Sequence, residues 1–150
     1  MATATVQQLQ KPKLNLTIKV VFTAQFHQAW PDVEGFLADA LKWGEDDYTA
    51  EQAKVYLSSG QWMLLVAVDE ENKIHGAAAV NFINMPNDRI AFVVAIGGKL
   101  ISSQDTYAQF TSLLKAQGAT KIQGAARESI ARLWTRYGFK ERYRIVEAKI

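Results

Sequence analysis

Arg127, Arg132, Arg136, Lys140, Arg142 and Arg144 form the one concentration of basic charge in the sequence. A run of this kind can be an anion-binding surface for an acidic protein or a phosphate backbone, or the solvated outer face of a helix and strand. Trp134 and Tyr137, which fall among these charges, read as packing residues and not as platforms for bases to stack on, so nucleic-acid recognition is not supported. The remaining titratable groups are scattered. A general base calls for a carboxylate or imidazole at the reacting centre; Asp88, Glu128 and His75 each read instead as a surface carboxylate or a satisfied histidine, and Glu128 has a helical partner in Arg132 four residues on. His27 and His75 lack metal-ligand spacing, and neither a Ser-His-Asp constellation nor a phosphate-binding P-loop is present. With no cysteine, a thiol nucleophile, disulfides and thiolate metal sites are excluded, a composition that fits a reducing compartment.

The elements that must position these residues belong to one core. At 150 residues, 49% hydrophobic and 21% charged, the chain has the size and composition of a single soluble domain. No apolar run approaches the roughly 20 residues of a membrane span. A formal charge of +2 is too small to mark a general nucleic-acid or membrane binder. The first 13 residues, MATATVQQLQKPK, lack the basic start and apolar middle of a secretory signal. They read as an arm preceding a domain over residues 14–150, ordered only if something pins them.

Periodicity and turn chemistry give the order of elements. LNLTIKVVF alternates as a first strand with Leu16, Ile18 and Val20 on one face. After a break at Trp30-Pro31, Val33, Phe36, Leu37, Ala40 and Leu41 recur at helical spacing from Pro31 to Gly44. Beyond the acidic EDD connector, Thr49 and Gln52 form a capping box for a second helix carrying Ala53, Tyr56 and Leu57. QWMLLVAVDE, IHGAAAVNFINM and RIAFVVAIGG supply three strands. Ser102 or Ser103 caps a helix whose Phe110, Leu113, Leu114 and Gln117 share a face and whose Gly118 ends it. TKIQGAA is a short strand. The last helix places Ile130, Leu133, Trp134 and Tyr137 on one buried side, and FKERYRIVEAKI reads as a final strand. The expectation is an α/β sandwich, a mixed sheet flanked by helices in the order β-α-α-β-β-β-α-β-α-β.

That order from Leu14 onward, together with ARLWTRYGFKERYRIVE, resembles the GCN5-related N-acetyltransferases (GNAT), whose helix-to-strand signature is of the form A..LYEKLGF. The resemblance implies that acetyl-CoA would lie in a splay between the strand over Ile90–Ile96 and the strand over Thr120–Ala125, its acyl group passing directly to an amine. It further implies a (Gln/Arg)-x-x-Gly-x-(Gly/Ala) loop whose backbone N–H groups meet the pyrophosphate at a helix N-terminus.

The corresponding loop here is GGKLISSQDTY. Lys99, Ser102 and Gln104 stand in the family's three slots, and two of the three depart from the pattern. Asp105 adds a carboxylate to the first helical turn, where it repels phosphate while stabilising the helix. Gly97-Gly98 reads as a strand-ending bend; if a cofactor site is retained, Ile96, Gly97, Gly98, Lys99, Ser102 and Ser103 would form it. The family's proton-returning Tyr, four residues before the Gly, is replaced by Trp134, whose indole N–H does not titrate at ordinary pH. Tyr137 is nearby in a slot that is normally apolar. Both read as packing residues, and no catalytic residue is assigned.

The family includes short members encoded by tailed bacteriophages, and the chain is similar to that kind. The expectation is a non-catalytic structural or interaction protein of a phage particle, residing in the host cytoplasm or the virion. No cofactor is expected, and the arm would meet a protein partner. The alternatives are an active acetyl-CoA-dependent N-acetyltransferase with an atypical loop, and an anti-host factor binding through Arg127, Arg132, Arg136, Arg142 and Arg144.

Overall fold

Alternating apolar residues put the first strand, β1 (Thr17–Val21), at one edge of the sheet with Leu16 and Ile18 buried. The computed structural model describes residues 14–44 and 47–150; the arm, and two acids of the EDD connector, lie outside the described residues. The outer edge of β1 is partly satisfied by a side chain. The Ile18 N–H donates to Gln109 Oε1 (2.9 Å), and Gln109 Nε2 donates to the Leu16 carbonyl (3.2 Å). One amide thus stands in for a neighbouring strand.

β2 (Met63–Val68), β3 (Ile74–Asn84) and β4 (Arg89–Gly98) continue the sheet antiparallel, and β5 (Lys121–Gly124) adds to β4 in parallel. β2 is buried from Leu64 to Val68 because helices cover both faces of the sheet. Leu64, Val66 and Val68 face one helical layer and Leu65 and Ala67 the other. Fully burying side chains such as Leu37, Leu65, Phe26 and Phe110 contributes about 1.5–3 kcal/mol each.

The first layer is α1 (Phe26–Leu41) and α2 (Ala50–Ser58). α2 starts at the expected capping box: Thr49 Oγ1 accepts from the Gln52 N–H (3.1 Å) and Gln52 Oε1 from the Thr49 N–H (3.0 Å). α1 begins five residues earlier than Pro31, the expected first turn, and contains the proline. Phe26 and Trp30 are both buried and prolong the stripe of Val33, Leu37 and Leu41 toward the N-terminus. Packing of that stripe outweighs the one helical donor that Pro31 removes near the helix start.

The opposite face is covered by α3 (Gln104–Ala116), through Phe110 and Leu114. α4 (Glu128–Trp134) and a 3₁₀ turn (Thr135–Tyr137) close the described order. Two expectations for this end are corrected. No residue of α4 is buried, and Leu133 is 44% exposed: its apolar side borders a cleft rather than a closed core. The expected final strand from Phe139 forms no ladder and is exposed throughout most of its length. Strand propensity alone cannot hold a strand that has no partner to share its hydrogen bonds.

Candidate functional site

A one-residue irregularity in β4 opens the sheet. Ala79 pairs with Ala95 and Val80 with Val93, which leaves Val94 as an extra residue. A bulge of this kind bends its strand and ends regular pairing. At the same point β5 stops, its last paired residue Gly124 lying opposite Val93. β4 and β5 then part around a cleft of about 410 Å³, lined by Val94–Gly98 on one side, Ala125–Arg127 on the other, and by Phe36, Trp43, Ile130 and Trp134 from α1, its C-terminal end and α4.

The α1 wall is brought in by glycine. A Cβ on Gly97 would overlap the Phe36 carbonyl oxygen, and one on Gly98 would overlap the His75 carbonyl and meet the Phe36 ring. Gly98 also has φ +67° at the strand end, a backbone state glycine adopts without strain. The pair is thus a strand-ending bend and the seat of α1. At the mouth, the Arg127 guanidinium lies 3.9 Å from the centre of the exposed Trp43 ring, a cation–π contact that ties α4's start to α1's end. Asp39, held by Lys42 at 3.0 Å, and Asp47 also border the cleft.

The loop after β4 is closed upon itself. The Lys99 N–H donates to the His75 carbonyl (2.8 Å), and Leu100 is fully buried in the α3-side core. The Ser102 and Ser103 N–H groups both donate to Thr106 Oγ1, each at 3.0 Å, and that hydroxyl donates to the Ser103 carbonyl (3.1 Å). In return Ser103 Oγ accepts from the Thr106 N–H (3.1 Å). Two converging backbone donors make an anion-binding nest; here a buried threonine fills it. Asp105 stands in the first turn of α3, where it accepts from Gln109 Nε2 (3.0 Å).

Of the candidate cofactor residues, Ile96, Gly97 and Gly98 line the cleft, whereas Lys99, Ser102 and Ser103 belong to the closed loop. Trp134 also lines the cleft; its ring lies over Gly124, 3.1 Å from where a Cβ there would sit, and 5.1 Å from the Phe139 ring. Tyr137 points elsewhere, stacked on Tyr107 of α3 at 4.9 Å. Of the basic residues, Arg127 is on Trp43, Arg132 is 4.0 Å from Glu128, Arg144 is 3.9 Å from Glu141, and Arg142 lies over Tyr143.

Asp69 and Asp88 lie in the connections between strands, His75 in β3 and Glu128 at the start of α4. Asp69 Oδ1 accepts from the Glu71 and Lys73 N–H groups, and Oδ2 is 2.8 Å from His75 Nε2. Hydrogen bonding with His75, and then with the Lys73 N–H, holds the Asp69 carboxyl below its ordinary value of 3.8. Asp88 is likewise held below 3.8, first by Lys121 (3.0 Å) and then by Thr120 (2.9 Å); it pins the start of β5 beside β4. Among the described residues, no group of three or more His, Asp or Glu side chains could hold a metal, and no helix is long and apolar enough to cross a membrane.

Sequence reasoning missed Val94, Phe36, Trp43, Leu100 and Thr106. Only Thr106 had a local signal, three residues after a Ser cap; the others act through contacts between distant segments.

No protein-family model and no curated protein matches the chain. Solved structures do match. An aminoglycoside N-acetyltransferase, AAC(6')-Iy, in complex with CoA, is 11% identical with a TM-score of 0.63, over 95% of this chain and 99% of that one. An aminoglycoside acetyltransferase from an uncultured soil metagenomic sample, in complex with sisomicin, is 12% identical with a TM-score of 0.62, over 90% and 96%. A transcriptional regulator from Bacillus halodurans is 18% identical with a TM-score of 0.59, over 91% and 100%. These identities speak to architecture alone. The chain has a GNAT-like acetyltransferase fold, a five-stranded mixed sheet flanked by helices.

Proposed function

We propose that this GNAT-like domain does not acetylate and serves as an interaction or structural protein of a bacteriophage particle. The observation that carries the first half is the closed loop. A CoA pyrophosphate needs free backbone donors where the loop enters α3, and the Ser102 and Ser103 N–H groups are bound to Thr106 Oγ1. Releasing both forfeits about 0.5–1.5 kcal/mol per bond, beside the carboxylate of Asp105. The cleft could accept the slender part of such a cofactor, but the loop as built does not fit its charged part. Trp134 adds to this, since no hydroxyl stands at its position to return a proton.

The phage-particle half rests on the resemblance to short phage-encoded members of the family, with the arm over residues 1–13 as the expected contact to a neighbour. Acetyl-CoA titration and a thiol-release assay over a panel of primary amines test the first half. Cross-linking mass spectrometry on assembled particles tests the second: links from the arm to another particle protein support it, and absence of the chain from particles contradicts it.

The second reading, an active N-acetyltransferase, is favoured by one observation. The opening between β4 and β5 persists at about 410 Å³, and a structural neighbour of this fold was solved with CoA. Saturable acetyl-CoA binding with amine-dependent thiol release would establish it in place of the first.

A further inference from the structure

The end of the sheet at which the cleft opens is also the end at which the chain enters the sheet. Ile18, Ala67, Gly76 and Gly98 form one row across β1, β2, β3 and β4, so the start of β1 lies level with the mouth between Gly98 and Arg127. Three strand gaps of about 4.8 Å put β4 about 14 Å from β1, with the cleft just beyond. Residues 1–13 precede the described chain, and about six of them cover that distance at about 3.3–3.6 Å per residue. Residues 2–7 are then within reach of the cleft.

The cleft has a backbone edge for such a segment to pair with. Among the described residues, β4 has no strand partner on the cleft side beyond Val93. The Lys99 N–H bonds to the His75 carbonyl, and the register with β3 carries that pattern back along the strand: Gly97 and Ala95 turn their N–H and C=O groups to β3, and Ile96 turns its pair into the cleft. The charged lining residues, Asp39, Asp47 and Arg127, stand at the rim, and Asp47 makes no ion pair among the described residues. A matching occupant is uncharged along its length and basic where it leaves. Residues 1–10, MATATVQQLQ, carry no charged side chain, and Lys11 and Lys13 follow; Thr3, Thr5 and Val6 are strand formers. Residues 139–150, by contrast, have no uncharged stretch longer than Ile145-Val146.

We infer that the chain seats its own N-terminal arm in the cleft, residues 2–7 lying along β4 as an added strand bonded to the Ile96 N–H and C=O, with Lys11 and Lys13 outside beside Asp47. Tethering favours the arm's own cleft over a second copy's, because a short linker holds it there at an effective concentration of about millimolar. The arm thereby closes the cleft to other ligands in the free chain. A particle neighbour that takes the arm, or a cofactor that takes the cleft, has to displace it, and a seated arm can be read without either.

Engineered cysteines test it, since the native chain has none. Thr3→Cys, Thr5→Cys and Gln7→Cys are each combined with Ala126→Cys in the cleft wall. In parallel each is combined with Glu71→Cys in the turn between β2 and β3, which stands beside the root of the arm, where Asn15 Nδ2 donates to Glu70 Oε1 (3.2 Å). On oxidation a seated arm bridges to position 126 within one chain, as a monomer on a non-reducing gel, in at least one pairing and faster than to position 71. Bridging to position 71 at an equal or greater rate, bridging between chains alone, or no bridge to position 126 overturns the inference. Independently, hydrogen exchange of the unmodified chain reads the backbone. Amides of residues 3–7 and of Ile96 are expected to be protected about tenfold or more. Val6→Asp, which puts a charge in an apolar site, should release both with an unchanged far-ultraviolet circular dichroism spectrum. Free exchange of residues 3–7 in the unmodified chain, or protection that survives the substitution, overturns the inference.

Discussion

Ser103 and Thr106 cap each other: Ser103 Oγ accepts from the Thr106 N–H at 3.1 Å, and Thr106 Oγ1 accepts from the Ser103 N–H at 3.0 Å. The second bond, with its twin from Ser102, turns a potential anion nest into an internal knot. Thr106→Val keeps the shape and removes the acceptor, leaving two donors without it. Stability should fall by about 1–3 kcal/mol, read as a lower urea midpoint. A change within error would show that the knot is not what holds the loop.

The close seat of α1 on β4 predicts intolerance at a pair of small residues. Gly97→Ala must displace the Phe36 backbone, and overpacking of this kind costs about 1–3 kcal/mol. Gly98→Ala adds a strained positive φ. Gly35→Ala, in α1 with nothing near its added methyl, is the control and should be neutral or mildly stabilising.

Arg127 and Trp43 should couple. At 3.9 Å between guanidinium and ring, a double-mutant cycle with Arg127→Ala and Trp43→Ala should return about 0.5–1 kcal/mol at this exposed site. A value indistinguishable from zero would remove the clasp from the account of the cleft mouth.

Asp69 and Asp88 set an acid limb. Both carboxyls lie below 3.8 in the folded protein, so each favours folding fully above its unfolded pKa. That contribution is lost as pH falls from about 3.8 through the folded value. Asp69→Asn and Asp88→Asn should each lower the urea midpoint at pH 7 and flatten its decline below pH 4. Parallel declines in the parent and both variants would contradict the assignment.

What could be read in the sequence was what local chemistry dictates. Thr49 with Gln52, the Ser103 cap, the alternation of β1 and the glycine ends of helices announced the element order, because each signal lies within a few residues. Pro31 misled because the pull of Phe26 and Trp30 on a distant core outweighs one missing donor. The segment from Phe139 misled for the opposite reason: its residues favour a strand, but a strand exists only with a partner. The cleft was foreseen from family resemblance and not from residues. The bulge at Val94 depends on the register with β3, and the approach of Trp43 to Arg127 joins positions far apart in the chain, so neither leaves a local pattern.

Trp134 offers a test that separates the two proposed readings. Were the missing hydroxyl the sole defect, Trp134→Tyr would produce amine-dependent thiol release; with the loop closed by Thr106, no turnover is expected from that single change.

The central claim is that the loop from Lys99 to Ser103 holds no pyrophosphate, and calorimetric titration of the unmodified protein with acetyl-CoA tests it most directly. No saturable heat is expected up to about 1 mM ligand. Micromolar binding at one site per chain, weakened when Ser102 and Ser103 are replaced by bulky residues, would contradict it.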